Sequence, residues 1–161
     1  MAKLRFAIFA ERVSVDRYSN RLDILNVFEQ IGIPELPAAV WERSKKEKKL
    51  PALPISMVLV AHWRRSDPQR PESTLRTRAE LLSPRGKVLG TAEQDISLRE
   101  HAYTRGLFGY QGLPLAGPGT YTARISLRSG GRWRKSGEAS FEVTYLSKAA
   151  MAAAVRPRRL L

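Results

Sequence analysis

The residues with the clearest chemical potential lie near the carboxyl end: Arg124, Arg128, Arg132, Trp133, Arg134 and Lys135, with no acid anywhere from 124 to 135. Guanidinium groups bind phosphate oxygens through paired hydrogen bonds, and a flat ring set among them can stack a base. A hairpin tip of this composition is therefore a candidate anion-binding or nucleic-acid-binding site. The same residues equally describe a solvated cationic face with the Trp133 ring laid along it through its apolar body. Both readings stay open at this point.

Other chemistries have less to work with. Glu93 and Asp95 share one face of a candidate strand, and Asp67 and Glu72 flank a loop. Paired acids run acid-base catalysis when their environments split their pKa values, so a hydrolase using Glu93, Asp95 or a histidine is the enzymatic alternative to a plain solvent-facing acidic row. The two histidines, His62 and His101, belong to no paired-histidine motif. His62 ends an apolar run beside Trp63 and reads as a structural histidine with its hydrogen bonds satisfied. The absence of cysteine excludes thiolate metal sites, thiol nucleophiles and disulfides. No calcium loop, phosphate-binding glycine loop, Gly-x-Ser-x-Gly elbow or dinucleotide fingerprint is present. No catalytic residue, metal or cofactor is expected.

Charge points to partners instead. Among 161 residues, 28 Lys and Arg stand against 15 Asp and Glu, a formal charge of +13 that attracts polyanions: nucleic acid, ribosomes or anionic lipid heads. A basic surface can also be no more than a solubility device. The amino-terminal apolar run is too short for a signal peptide or a membrane span, and together with the missing cysteines this leads to an expected cytoplasmic location.

The elements that must position these groups read as strands. Leu4, Phe6, Ile8 and Ala10 alternate, while Ala7 and Phe9 make the second face apolar too, the pattern of a central strand or one packed on two sides. Turn residues 16–20 lead to Arg21–Ile33, read as the return strand of a hairpin. Pro34 and Pro37 stop the pairing, and the charged stretch from Trp41 to Leu53 is a solvated insertion with a helical turn or two. Ile55, Met57, Leu59, Ala61 and Trp63 form one face of the next strand, with Ser56, Val58, Val60 and His62 on the other. Strands follow over Leu75–Leu82 and Lys87–Leu98, joined by the turn Ser83-Pro84-Arg85-Gly86. Residues 99–111, rich in glycine, read as a distorted strand.

Pro118 and Gly119 then form a rigid corner, from which Tyr121, Ala123, Ile125 and Leu127 alternate with Thr122, Arg124, Ser126 and Arg128. A last strand carries Ala139, Phe141, Val143 and Tyr145 on one face. Residues 147–161 are an alanine-rich basic tail, a short helix or disordered.

Several of these segments resemble a family of uncharacterised bacterial proteins, small cytoplasmic β-sandwiches. The resemblance rests on Phe6 to Val13, Asn20 to Phe28 with Pro34 and Pro37, Ile55 to Trp63, Ser83 to Val88, Leu113-Pro114-Leu115 and Pro118 to Tyr121. It implies fold rather than activity and carries no catalytic residues.

The expected architecture is all-β: an antiparallel β-sandwich, Ig-like or C2-like, of seven to eight strands over residues 1–146, with residues 41–53 inserted and 147–161 appended. Tyr121 is placed to bond back to the corner before it, as a tyrosine does in Ig-like modules, and equally fits a plain core tyrosine. The expected function is a non-enzymatic binding or assembly module, engaging a protein partner or a second copy through an edge strand; the alternatives are polyanion binding through the basic hairpin and a hydrolase.

Overall fold

In a computed structural model, which describes residues 2–16, 19, 21–67 and 74–147, nine strands and one helix follow one another. They are β1 (Lys3–Val15), β2 (Leu22–Val27), β3 (Gln30–Ile33), α1 (Ala38–Glu47), β4 (Ala52–Arg64), β5 (Leu75–Leu82), β6 (Val88–Ile96), β7 (Tyr103–Pro114), β8 (Gly119–Ser129) and β9 (Arg132–Tyr145). The alternation of apolar residues sends one face of each long strand into a shared core. Phe9, Met57, Leu59, Ala61 and Trp63 enter it from a four-stranded sheet ordered β2-β1-β4-β7. Leu81, Tyr121, Ala123, Ile125, Phe141 and Val143 enter it from a five-stranded sheet ordered β3-β9-β8-β5-β6. The rings of Phe9 and Phe141 meet edge-on across the two sheets at 4.9 Å, and Phe141 stacks on Tyr121 at 5.5 Å. Such aromatic pairs add to the stabilisation given by burial alone.

The all-β expectation holds, with nine described strands in place of seven to eight. The extra strand arises where Arg21–Ile33 breaks in two. Phe28 N–H donates to Phe9 O in the four-stranded sheet, and the carbonyl of the next residue, Glu29, accepts from Glu142 N–H in the other. The chain thus changes sheets within one dipeptide. As a result β3 runs parallel to β9, pairing Gln30–Ile33 with Glu142–Tyr145, so the sheets are not wholly antiparallel.

The charged insertion is more ordered than its composition implied. α1 carries the pairs Arg43–Glu47 and Lys45–Glu42, ends at Lys48 in the left-handed region, and packs Trp41 against the core. Residues 103–114 form one strand paired with β4, regular from Tyr103 to Gln111; the expected distortion is confined to its end, where Gly112 holds φ +84 and the register shifts between Leu53 and Ser56. Beside it, a Cβ at Gly106 would collide with the Gln94 amide. With that amide oriented to suit its neighbours, Gln94 accepts from Leu107 N–H at 2.8 Å and donates to Leu107 O at 3.3 Å, linking β6 of one sheet to β7 of the other.

At the corner before β8, Ala116 N–H donates to the Tyr121 hydroxyl at 2.8 Å, and that hydroxyl donates to Gly117 O at 2.9 Å. Gly119 holds φ +122, where a side chain would be strained and would also press on Pro84. The neighbouring Pro118 is exposed. No helix among the described residues is long and apolar enough to cross a membrane. The alanine-rich tail beyond Ser147 lies outside the described residues.

Candidate functional site

The basic hairpin is built by the pairing of β8 with β9 around the turn at Gly130 and Gly131. A register shift between Ile125 and Ser126 decides which side chains share a side. Arg124 and Arg128 leave β8 on the outward face, opposite Glu138 and Trp133, and Lys135 stands opposite Ser126 on that same face. Arg132 and Arg134 have the other parity, opposite Ser129 and Leu127. The structure therefore splits the six candidates between two sides of the hairpin.

Several of them are already engaged. Arg124 lies 3.7 Å from Glu80, and Lys135 bonds Glu138, holding that carboxyl below the usual carboxylate range. The guanidinium of Arg78 sits 4.0 Å above the Trp133 ring and occupies one face of it. Among the described residues Arg128, Arg132 and Arg134 form no ion pair.

The carboxylates belong to the same outward face. Glu93 receives Arg78 at 2.7 Å and Arg76 at 3.0 Å. The Arg78 hydrogen bond, with Arg76 adding to it against partial desolvation, depresses the Glu93 pKa, so this group stays ionised and is a poor proton donor. Asp95 is exposed opposite Arg76. Asp67 and His101 are exposed in loops, and Glu72 lies outside the described residues. A shallow cavity of about 590 Å³ is lined by Glu11, Arg12, Phe28, Pro54, Ile55 and Ser56, and one of about 140 Å³ lies beside α1; neither is lined by Glu93, Asp95 or a histidine. Among the described residues no group of His, Asp and Glu is gathered to hold a metal ion.

His62 corrects the sequence reading. It faces outward from β4, where its ring lies between Phe6 at 4.9 Å and Tyr103 at 5.6 Å, and its buried Nδ1 has no hydrogen-bond partner. Burial first, then the fields of Arg105 and Arg5, lower its pKa.

This row opens onto a surface that sequence reasoning missed. Reading across β1, β4 and β7, the outward residues are Lys3, Arg64 and Tyr103, then Phe6, His62 and Arg105, then Ile8, Val60 and Leu107, then Ala10, Val58 and Gly109. β2 extends the apolar area with Val27 beside Ala10 and Leu25 beside Arg12. Val60 and Ala10 are fully buried by these neighbours, yet Phe6 is 41%, Leu107 37%, and Tyr103, Leu25 and Val27 are each 49% exposed. A signal was present, because β1 and β4 are apolar on both faces. The expectation for β1, a central strand or one packed on two sides, is met in its first form, since β1 lies between β2 and β4, and its second face is turned to solvent. Among the described residues Lys3, Arg5 and Arg64 form no ion pair, and Arg64 Nε is buried without a hydrogen-bond partner. Arg5 occupies a bulge between Leu4 and Phe6 that places it beside this row.

Compared with known proteins, the chain matches no family model and no curated protein.

Proposed function

We propose that the protein is a non-enzymatic binding module that docks an anionic partner on the outer face of its four-stranded sheet. The observation that carries this reading is the meeting, on one face, of exposed Phe6, Tyr103 and Leu107 with Lys3, Arg5 and Arg64, which form no ion pair among the described residues. Large exposed apolar areas with polar rims are interaction surfaces more often than idle ones. The ionised, doubly paired Glu93 favours a structural role for the carboxylates over hydrolysis.

A second reading, nucleic-acid binding at the hairpin, is favoured by Arg128, Arg132 and Arg134, which carry no ion pair among the described residues. Self-pairing through β2 is weakened by Asn26, whose φ of 54° breaks the regular edge of that strand. The Tyr121 corner supports an Ig-like or C2-like reading of the two sheets, and the strand and turn motifs support membership of the bacterial β-sandwich family they resemble. The missing cysteines support a cytoplasmic setting.

Two variants of equal charge loss separate the binding readings: Lys3→Gln/Arg5→Gln/Arg64→Gln on the sheet face, and Arg128→Gln/Arg132→Gln/Arg134→Gln at the hairpin. On heparin resin the sheet-face variant elutes at lower salt than the hairpin variant. The reverse order would establish the hairpin reading, and equal losses would reduce both sites to diffuse charge.

A further inference from the structure

We propose that the partner of the four-stranded sheet's outer face is an anionic lipid bilayer surface, an inference that rests on the docking reading above and names its partner. The charge pattern selects an anionic partner. In the rows from Lys3 to Ala10 the outward residues include no carboxylate: besides Tyr103, the ionisable ones are Lys3, Arg64, Arg105 and His62, with Arg5 in the bulge beside them. A second copy seated face to face would set these cations against one another, so self-association is opposed.

Ring geometry then selects among anionic partners. The Phe6 and His62 planes lie within 3° of parallel with centroids 4.9 Å apart. Two rings lying flat side by side on a sheet would collide at that separation, so they stand on edge with their faces turned to each other. A single-stranded nucleic acid needs free ring faces on which to stack its bases. Rings on edge instead form an apolar ridge. Peptide partners use grooves or strand edges, whereas Phe6, His62 and Tyr103 stand on the face of the sheet, across β1, β4 and β7.

A ridge rimmed by cations fits a planar partner that is apolar beneath and anionic at its surface. Phe6 and Leu107 enter the acyl boundary, Tyr103 sits at headgroup level, and Lys3, Arg5 and Arg64 meet the phosphates. The design combines two weak signals, apolar insertion and surface charge, which is what reversible peripheral attachment requires.

The test sediments the full-length protein with phosphatidylcholine vesicles, with and without phosphatidylglycerol. Wild type partitions at least about tenfold more strongly to the anionic vesicles, in a salt-sensitive manner. Phe6→Ser/Leu107→Ser and Arg5→Gln/Arg64→Gln each lower that partition by about tenfold, while Arg128→Gln/Arg132→Gln/Arg134→Gln stays within about twofold of wild type. As a check that does not depend on loss, the fluorescence of Phe6→Trp, corrected for the native tryptophans, is quenched by brominated acyl chains in anionic vesicles. Absence of preference for anionic vesicles, absence of that quenching, or loss confined to the hairpin variant would overturn the lipid assignment. If the sheet-face variant still loses heparin retention in those cases, the docking face stands and only its partner changes. If heparin retention is also unchanged, the docking reading falls with it.

Discussion

Val60 and Ser126 hold matching places, each in the interior of an outward sheet face and each almost wholly shielded from water, but opposite kinds of neighbour shield them. Across the strands Val60 has Ile8 and Leu107, with His62 and Val58 along its own strand. Ser126 has Arg78 and Lys135. The five-stranded sheet covers its outer face with a ladder of ions in which Arg76 and Arg78 share Glu93, Arg124 faces Glu80 and Lys135 meets Glu138. The four-stranded sheet leaves hydrocarbon at its surface, beside Lys3, Arg5 and Arg64, which form no ion pair among the described residues. One face neutralises most of its charges by ion pairs, Arg128 being an exception among the described residues, and the other presents cations beside exposed apolar area. Net charge alone cannot distinguish them, because both are rich in arginine.

The sharpest way to break this contrast is to place the same anion at both centres. Val60→Asp buries a carboxylate among apolar side chains and is expected to cost about 3 kcal/mol or more. Ser126→Asp gains Arg78 and Lys135 as cross-strand neighbours and is expected to stay within about 1 kcal/mol of wild type. Urea denaturation measures both, and equal damage would show that the faces do not differ electrostatically. A smaller effect is expected at the ladder's end, where Trp133→Leu removes the ring beneath Arg78 and loses about 0.5–1 kcal/mol by the same measurement.

The last two expectations concern pH. The folded-state pKa of Glu93 is depressed, so its contribution is present above the unfolded value of about 4.3 and is lost as pH falls through the lower folded value. Glu93→Gln should therefore flatten the acid limb of the stability profile, and an unchanged limb would remove the ladder's role. His62 is also depressed, but by exclusion of its cationic form. Its contribution is present above about pH 6.5 and is lost as pH falls through its folded pKa. An NMR titration should place the His62 midpoint below that of an unstructured peptide, and His62→Phe should abolish the matching slope in stability.

Much of the fold was legible locally. The inward set Met57, Leu59, Ala61 and Trp63 follows from alternation alone. The turn at Ser83 closes with Gly86 at φ +76 donating its N–H to Ser83 O at 2.8 Å, as its proline and glycine imply. The break between β2 and β3 left a trace that the reading passed over. The half-buried Leu22 and Ile24 occupy even positions and the buried Ile31 and Ile33 odd ones, a slip of phase within what was taken for one strand. The direction of β3 left no such trace, since its parallel partner β9 lies more than a hundred residues later.

The sequence by itself determined the strands, the inward face of each, the tyrosine corner and the excess of cations, because all of these depend on period, turn chemistry and composition. Only the tertiary structure decided which cations are neutralised. Arg76 and Arg78 reach Glu93 across fifteen to seventeen residues of chain, and Phe6, His62 and Tyr103 come together from three distant strands. Alternation says that a side chain points outward, but the strand order and register set what stands beside it. The candidate site is made of those lateral neighbours.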